Sequence, residues 1–250
     1  MTLAHQITGD GPAVVLLHSS VCDRRMWNPQ WDLLVGARFR VIRPDFQGFG
    51  ETPAPTSAFD EARDVLELFE MHGIERAAVV GSSFGGRVAQ EFAARWPSRV
   101  TRLILACPAT RLLEPTEDLR AFGAEEDALL EAGEIDGAVA LNVNTWLGPA
   151  AGTSTREFVA RMQRHAFEVQ LAASDVPGAR DDFDLGDVSA PTLVLSGAHD
   201  LEGMQQAARF LAERIDGAVH HRLDWAGHLP SVEDPARFNP VLLDFLGSSE

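Results

Sequence analysis

Along this chain, apolar residues gather into short runs separated by longer stretches in which they recur every three or four positions. The runs Ala13 to Leu17, Phe39 to Pro44, Ala77 to Val80, Val100 to Ala106 and Thr192 to Gly197 predict strands, that at Ala77 to Val80 buried, and a further strand is expected at Val219 to Leu223. A short extended piece is expected within residues 1–12, around a Gly-Asp-Gly-Pro turn. The stretches between carry helical periodicity. Trp27, Trp31 and Leu34 share one face. Ala62, Val65, Leu66 and Phe69 mark a helix from about Ala58 to His72, with Ser57 and Asp60 at capping-box spacing and Gly73 as its stop. Val88, Phe92 and Trp96 mark another, ended by Pro97. Helices are also expected near Met204 to Ile215 and from the last loop to about Phe245, the latter disturbed at Pro240.

Strand and helix alternate from Ala13 to Ala106, which implies a mostly parallel sheet covered on both faces, an α/β architecture. From about Ala109 to Asp184 the alternation breaks and the pattern is helical throughout, with Ser154 and Glu157 expected to cap a helix bearing Phe158, Met162, Ala166 and Val169. The strand pattern then resumes. Residues 109–184 therefore read as a helical cap inserted into one core, formed by residues 1–108 and 185–250.

The chain has 250 residues, enough to bury a full core as one compact unit. A formal net charge of −16 repels nucleic acid and anionic membranes, leaving a neutral or weakly polar small molecule as the natural partner. No apolar run reaches membrane-spanning length and no basic-then-apolar leader is present, so a cytoplasmic location is expected. The two cysteines, Cys22 and Cys107, read as free, half-buried thiols without metal-ligand spacing, and no metal or cofactor is called for.

The candidate chemistry sits at Gly81-Ser82-Ser83-Phe84-Gly85-Gly86, where a strand meets a helix. So tight a turn needs glycine wherever a side chain would strike neighbouring backbone, and it pushes Ser83 outward at a helix N-terminus that favours negative charge. A serine hydroxyl is a poor nucleophile without a base. His228, in the loop after the last strand, is the candidate base. An imidazole base in turn needs an acid to orient it, and Asp200 follows a strand at the end where open α/β sheets place their sites. Asp224 is the rival acid, disfavoured by its closeness to His228 within one loop. His5, His72, His165, His220 and His221 read as surface or cap residues, and His199 as a loop-packing residue.

The order Ser83, Asp200, His228, taken with Gly197-Ala198-His199-Asp200, Gly227-His228-Leu229-Pro230 and Asp45-Phe46-Gln47-Gly48-Phe49-Gly50, resembles the α/β-hydrolase fold enzymes along essentially the whole chain. Within them the 3-oxoadipate enol-lactonase and esterase-like group is the most similar. The resemblance implies an α/β-hydrolase fold with a four-helix cap after the sixth strand. It implies a sheet of seven strands, or of eight with one vestigial, because the short N-terminus leaves little room for the family's first edge strand. It also implies an oxyanion hole formed by the backbone N–H groups of Ser20 and Phe84. His18-Ser19-Ser20 departs from the family's usual His-Gly-x. Ser19 is therefore expected to restrict that loop or to turn its hydroxyl toward substrate.

Together these features point to a serine hydrolase that cleaves a small carboxylic ester or lactone. A substrate pocket is expected under the cap, lined by Ser19, Trp27, Trp146, Leu147, Phe158, Met162 and Phe167, while an anionic substrate would want Arg24, Arg25 or Arg161. Carbon–carbon bond hydrolysis of a diketone, cofactor-free perhydrolysis and a non-catalytic ligand-sensing role are the alternatives on the same residues. Haloalkane dehalogenation is disfavoured, since its nucleophile position carries Asp. The sequence leaves oligomeric state open.

Overall fold

The computed structural model describes residues 2–174, 176, 178, 179 and 181–247. Its described residues form a seven-stranded sheet: β1 (His5–Thr8), β2 (Ala13–Leu17), β3 (Arg40–Pro44), β4 (Ala77–Ser82), β5 (Val100–Ala106), β6 (Thr192–Gly197) and β7 (Val219–Leu223), in the spatial order β1-β3-β2-β4-β5-β6-β7. Only β1 is antiparallel, pairing with β3. The other neighbours run parallel.

Alternate residues of the central strands serve two cores. Val15, Leu17, Val79, Leu103, Leu105 and Val194 enter one buried cluster; Val14, Leu16, Val80, Ile104, Leu193 and Leu195 enter the other. With both faces buried, successive positions of these strands are mostly apolar, which is why they read as runs rather than as alternation. The first cluster is closed by α2 (Glu61–Met71) and α3 (Phe84–Arg95), the second by α1 (Asn28–Gly36) and α9 (Pro235–Gly247), together with residues of the helices that follow β5.

Those helices are α4 (Glu117–Glu131), α5 (Ile135–Trp146) and α6 (Thr153–Leu171). Three α-helices are therefore described where the resemblance implied four. They follow the fifth strand counted along this chain, because a single antiparallel strand precedes β2. After β6 come α7 (Glu202–Arg214), β7 and the short α8 (Pro230–Glu233), which leads into α9 with Pro240 inside it, as expected. No described helix is long and apolar enough to cross a membrane.

Two expected helix starts are corrected. α2 begins at Glu61 rather than Ala58, because the Asp60 carboxylate, not Ser57, caps it by accepting the Arg63 N–H at 3.1 Å, while Phe59 is held in an isolated β-bridge to Gly178. α6 begins at Thr153 behind Gly152, so Ser154 lies within its first turn instead of capping it. Cys22 and Cys107 are free, as expected, but fully buried, since both contribute to the packing around the sheet.

α2 also carries a buried carboxylate. Asp64 accepts a hydrogen bond from Gln47 Nε2 at 2.8 Å, yet burial pushes its pKa up to about 6. The folded chain then binds this proton more tightly than the unfolded one. The group's contribution to stability falls as pH rises from about 4 to about 6, and the full penalty persists above that. Asp64→Asn is expected to stabilise the protein by about 1–2 kcal/mol at pH 8, after allowance for partial solvent access, and by much less at pH 4. Melting curves at the two pH values check this, and equal gains at both would refute the assignment.

Candidate active site

The strand-to-helix turn after β4 is built by close backbone approaches. A Cβ on Gly81 would lie 2.2 Å from the Gly85 carbonyl oxygen, and one on Gly85 would lie 2.3 Å from that of Leu17, so neither position admits a side chain. Ser83 between them has φ 52° and ψ −112°, a left-handed conformation that costs a non-glycine residue about 1–3 kcal/mol. Fixed hydrogen bonds hold it there: its N–H donates to Ala106 O at 3.0 Å, and its carbonyl accepts from Arg87 N at 3.0 Å and Ala109 N at 3.1 Å. The strain lifts the hydroxyl out of the chain path toward the loops at the strand ends.

Three side chains far apart in sequence meet here. His228 Nε2 lies 2.7 Å from Ser83 Oγ, and His228 Nδ1 lies 2.7 Å from Asp200 Oδ2. All three residues are buried, with Ser83 4% and His228 2% exposed. An ionised carboxylate only accepts, so Nδ1 carries the imidazole proton and Nε2 faces the hydroxyl with its lone pair. The second carboxylate oxygen of Asp200 accepts the Leu201 N–H at 2.8 Å, which fixes the carboxylate plane. The rival Asp224 has 83% of its side chain exposed and pairs with Arg222 instead.

The His228 loop is clamped by a residue that the sequence did not mark. Glu233, one turn further on in α8, accepts the Gly227 N–H at 2.8 Å on one oxygen and the Leu229 N–H at 2.9 Å on the other. These are the amides on either side of His228. Burial raises the Glu233 pKa, and its hydrogen bonds to the Gly227, Leu229 and Gly148 amides oppose the rise. The end of α5 is joined to the same loop: His228 N–H donates to Trp146 O at 3.0 Å, and Gly148 packs so closely on Gly227 that a Cβ on either would sit within 2.5 Å of the other's amide nitrogen. The Trp146 ring lies against the imidazole, centroids 4.5 Å apart. Glu233→Gln, which replaces one acceptor with a donor facing an N–H, is expected to lower kcat by about 10²-fold with little change in KM. Steady-state kinetics beside a thermal melt check it.

On the other side of the serine, buried His18 sets the loop after β2. Its Nε2 accepts the Phe46 N–H at 3.0 Å, so its proton is on Nδ1, which donates to Ser19 O at 2.8 Å. Burial lowers its pKa and favours this neutral form. Ser19 lies outside the left-handed region, so replacing the family's glycine introduces no backbone strain. Its side chain is fully buried, and its Oγ accepts the Val21 N–H at 3.5 Å. Ser20 follows, exposed, and Phe84 is the first residue of α3, whose N–H has no acceptor within the helix.

Of the other expected lining residues, Trp27, Trp146, Leu147, Met162 and Phe167 join one buried cluster with Val21 and Leu229, and Phe158 packs partly buried against it. Arg24, Arg25 and Arg161 do come together, lining a cavity of about 320 Å³ with Asp23, Asp45, Gly50, Glu51 and His165. Arg24 is committed to Asp45 and Glu51, and Arg25 to Asp23, so neither is a free anchor for an anion. His165 is not an ordinary surface residue, since its Nε2 bonds to Gly50 O at 2.9 Å and ties α6 to the core. His199 is exposed rather than packed, and its backbone N–H donates to Ala226 O at 2.9 Å.

Cys107 Sγ, Asp200 and His228 offer donor atoms within 4.8 Å of one another. The donor chemistry does not suit a metal ion. Burial pushes the Cys107 thiol well up, so it stays protonated and points to Gly227 O at 3.6 Å, while both ring nitrogens of His228 are engaged.

The chain belongs to the alpha/beta hydrolase family, whose model matches residues 14–241. The putative carbamate hydrolase RutD of Variovorax paradoxus (strain S110) is 31% identical over 265 residues, covering 98% of this chain and 96% of that protein. The 2-hydroxymuconate semialdehyde hydrolase of Pseudomonas sp. (strain CF600) is 30% identical over 262 residues, covering 97% and 89%. Among solved structures, the enol-lactonase from Burkholderia xenovorans LB400 superposes with a TM-score of 0.78 at 26% identity, covering 98% of this chain and 96% of that one. The protein is an α/β-hydrolase enzyme, and the similarity to an enol-lactonase agrees with the sequence reading.

Proposed function

We propose that the protein hydrolyses a small carboxylic ester or lactone through an acyl-enzyme on Ser83. The observation that carries this reading is the unbroken relay of two 2.7 Å hydrogen bonds from Ser83 Oγ through His228 to Asp200. Ser83 Oγ attacks the carbonyl carbon as His228 Nε2 takes its proton. The imidazolium that forms is stabilised by Asp200, and it returns the proton to the leaving alkoxide. Water then enters, His228 removes its proton as it attacks the acyl carbon, and the imidazolium returns that proton to Ser83 Oγ as the bond between Oγ and the acyl carbon breaks and the acid leaves. The N–H groups of Phe84 and Ser20 hold the oxyanion, each contributing about 3–4 kcal/mol to transition-state stabilisation. Residues 109–184 act as the cap over this site, with α5 fastened to the His228 loop and α6 fastened at Gly50.

A second reading is carbon–carbon bond hydrolysis, favoured by the 30% identity to 2-hydroxymuconate semialdehyde hydrolase. The two are separated by kcat/KM on a panel of short esters, lactones and vinylogous diketones. The ester reading expects the esters and lactones to exceed the diketones by at least about 10²-fold. A reversed order favours carbon–carbon cleavage.

A further inference from the structure

An apolar opening lies beside the elbow, away from the cluster around Trp146. It has a volume of about 450 Å³ and is walled by Phe46, Phe49, Phe59 and Phe84 from the core side and by Leu171, Ala173 and Val176 from the end of α6 and beyond. For comparison, a cavity of about 150 Å³ suffices to hold benzene. Phe84 connects this space to the chemistry. Its ring, half-buried, meets Phe46 at 5.1 Å and Phe49 at 5.9 Å, and its amide is one of the two proposed oxyanion donors. Phe84, the residue after Ser83, thus contributes its ring to the wall of this cavity and its amide to the proposed site.

The electrostatics of the space decide what fits. Among its described lining residues only Glu61 is charged, and Glu61 is held by Arg87 at 2.8 Å, with the Arg87 guanidinium stacked on the Phe84 ring. That lining charge is thus already matched, and no described lining residue offers a cation to an incoming anion. The arginines line the other cavity, across the segment from Phe46 to Glu51, and two of them are already ion-paired. The opening is also built, with polar groups on its border satisfied: Gln170 Nε2 bonds to Gly48 O at 3.2 Å across one side, and Ala179 N–H donates to Phe59 O at 2.6 Å behind it. Leu171 at its mouth is 52% exposed, an apolar surface that a bound apolar group would cover.

Resting on the ester reading above, we propose that this cavity is a subsite for an uncharged aromatic or branched aliphatic group of the substrate, and that it discriminates against substrates carrying a second carboxylate. The same chemistry can arrive on the acyl or on the alcohol side, so the experiment varies both.

The test measures kcat/KM for p-nitrophenyl acetate, butyrate, 3-phenylpropanoate and hemisuccinate, and for ethyl and phenethyl acetate, in the wild type, Ala173→Phe and Leu171→Trp. In the wild type, butyrate is expected to exceed hemisuccinate by at least about tenfold. In the variants, which fill the cavity from its rim, the ratio of the phenyl-bearing ester to its acetate partner is expected to drop by at least about tenfold in one of the two series. The series that responds identifies the end of the ester that binds here. A ratio unchanged in both variants and both series overturns the subsite, as does a preference for hemisuccinate. Failure of the wild type to turn over any ester removes the ester reading itself, a result distinct from unchanged ratios in an active enzyme.

Discussion

Ser83→Ala is expected to lower kcat on p-nitrophenyl acetate by about 10⁶-fold, leaving only the contribution of the oxyanion donors and of binding. The loss is this large because the reaction has no second nucleophile to use. In the proposed mechanism the hydroxyl oxygen is the atom that bonds to the acyl carbon, and His228 and Asp200, which it meets through the two hydrogen bonds, would be left with nothing to activate but unpositioned water. The substitution removes one buried oxygen and keeps the backbone at φ 52°, so the melting temperature is expected to stay within a few degrees of wild type. Stopped assays beside a thermal melt separate lost chemistry from lost folding. Activity within tenfold of wild type would place the nucleophile elsewhere.

Asp200→Asn is expected to cost about 10⁴-fold in kcat with KM little changed. The reason lies in the second hydrogen bond of this side chain. Leu201 N–H points at one oxygen from 2.8 Å, so an asparagine keeps its carbonyl there and turns its amide NH₂ toward His228 Nδ1. Two donors cannot face each other, and the imidazole shifts to the tautomer with its proton on Nε2. That nitrogen then donates toward Ser83 Oγ and cannot take its proton. Asp224→Asn, at an exposed carboxylate paired to Arg222, is expected to stay within twofold of wild type. The contrast between these two variants measures the acid assignment directly.

What the sequence could convey follows from where each residue gets its constraint. The central strands were legible because burial on both faces favours apolar runs, as at Val14 to Leu17 and Leu193 to Leu195. The elbow was legible because backbone collision at Gly81 and Gly85 leaves glycine as the residue that fits. The meeting of Ser83, Asp200 and His228 followed from chain order and strand ends. Glu233 was not legible: a carboxylate five residues after a histidine looks like any polar residue opening a helix, and its role arises from two amides that turn toward it only in the folded loop. The same holds for Gly148, whose lack of a side chain is required by Gly227, 79 positions away in a different loop. Arg24 could not be assigned because its partner Asp45 lies on another strand end, and Ser19 because its hydroxyl turns inward to Val21. The apolar cavity was missed for a related reason. Its walls come from the loop after β3, the first residue of α3 and the end of α6, with no shared periodicity to announce them.

The claim beneath all of this is that one hydroxyl, that of Ser83, is the reactive group. Incubation of the folded enzyme with a fluorophosphonate, followed by proteolysis and mass measurement, reads this out. The account predicts a single stoichiometric adduct on the peptide containing Ser83, lost in Ser83→Ala and formed far more slowly in Asp200→Asn. An adduct on another residue, or full ester turnover with Ser83 unlabelled, would contradict it.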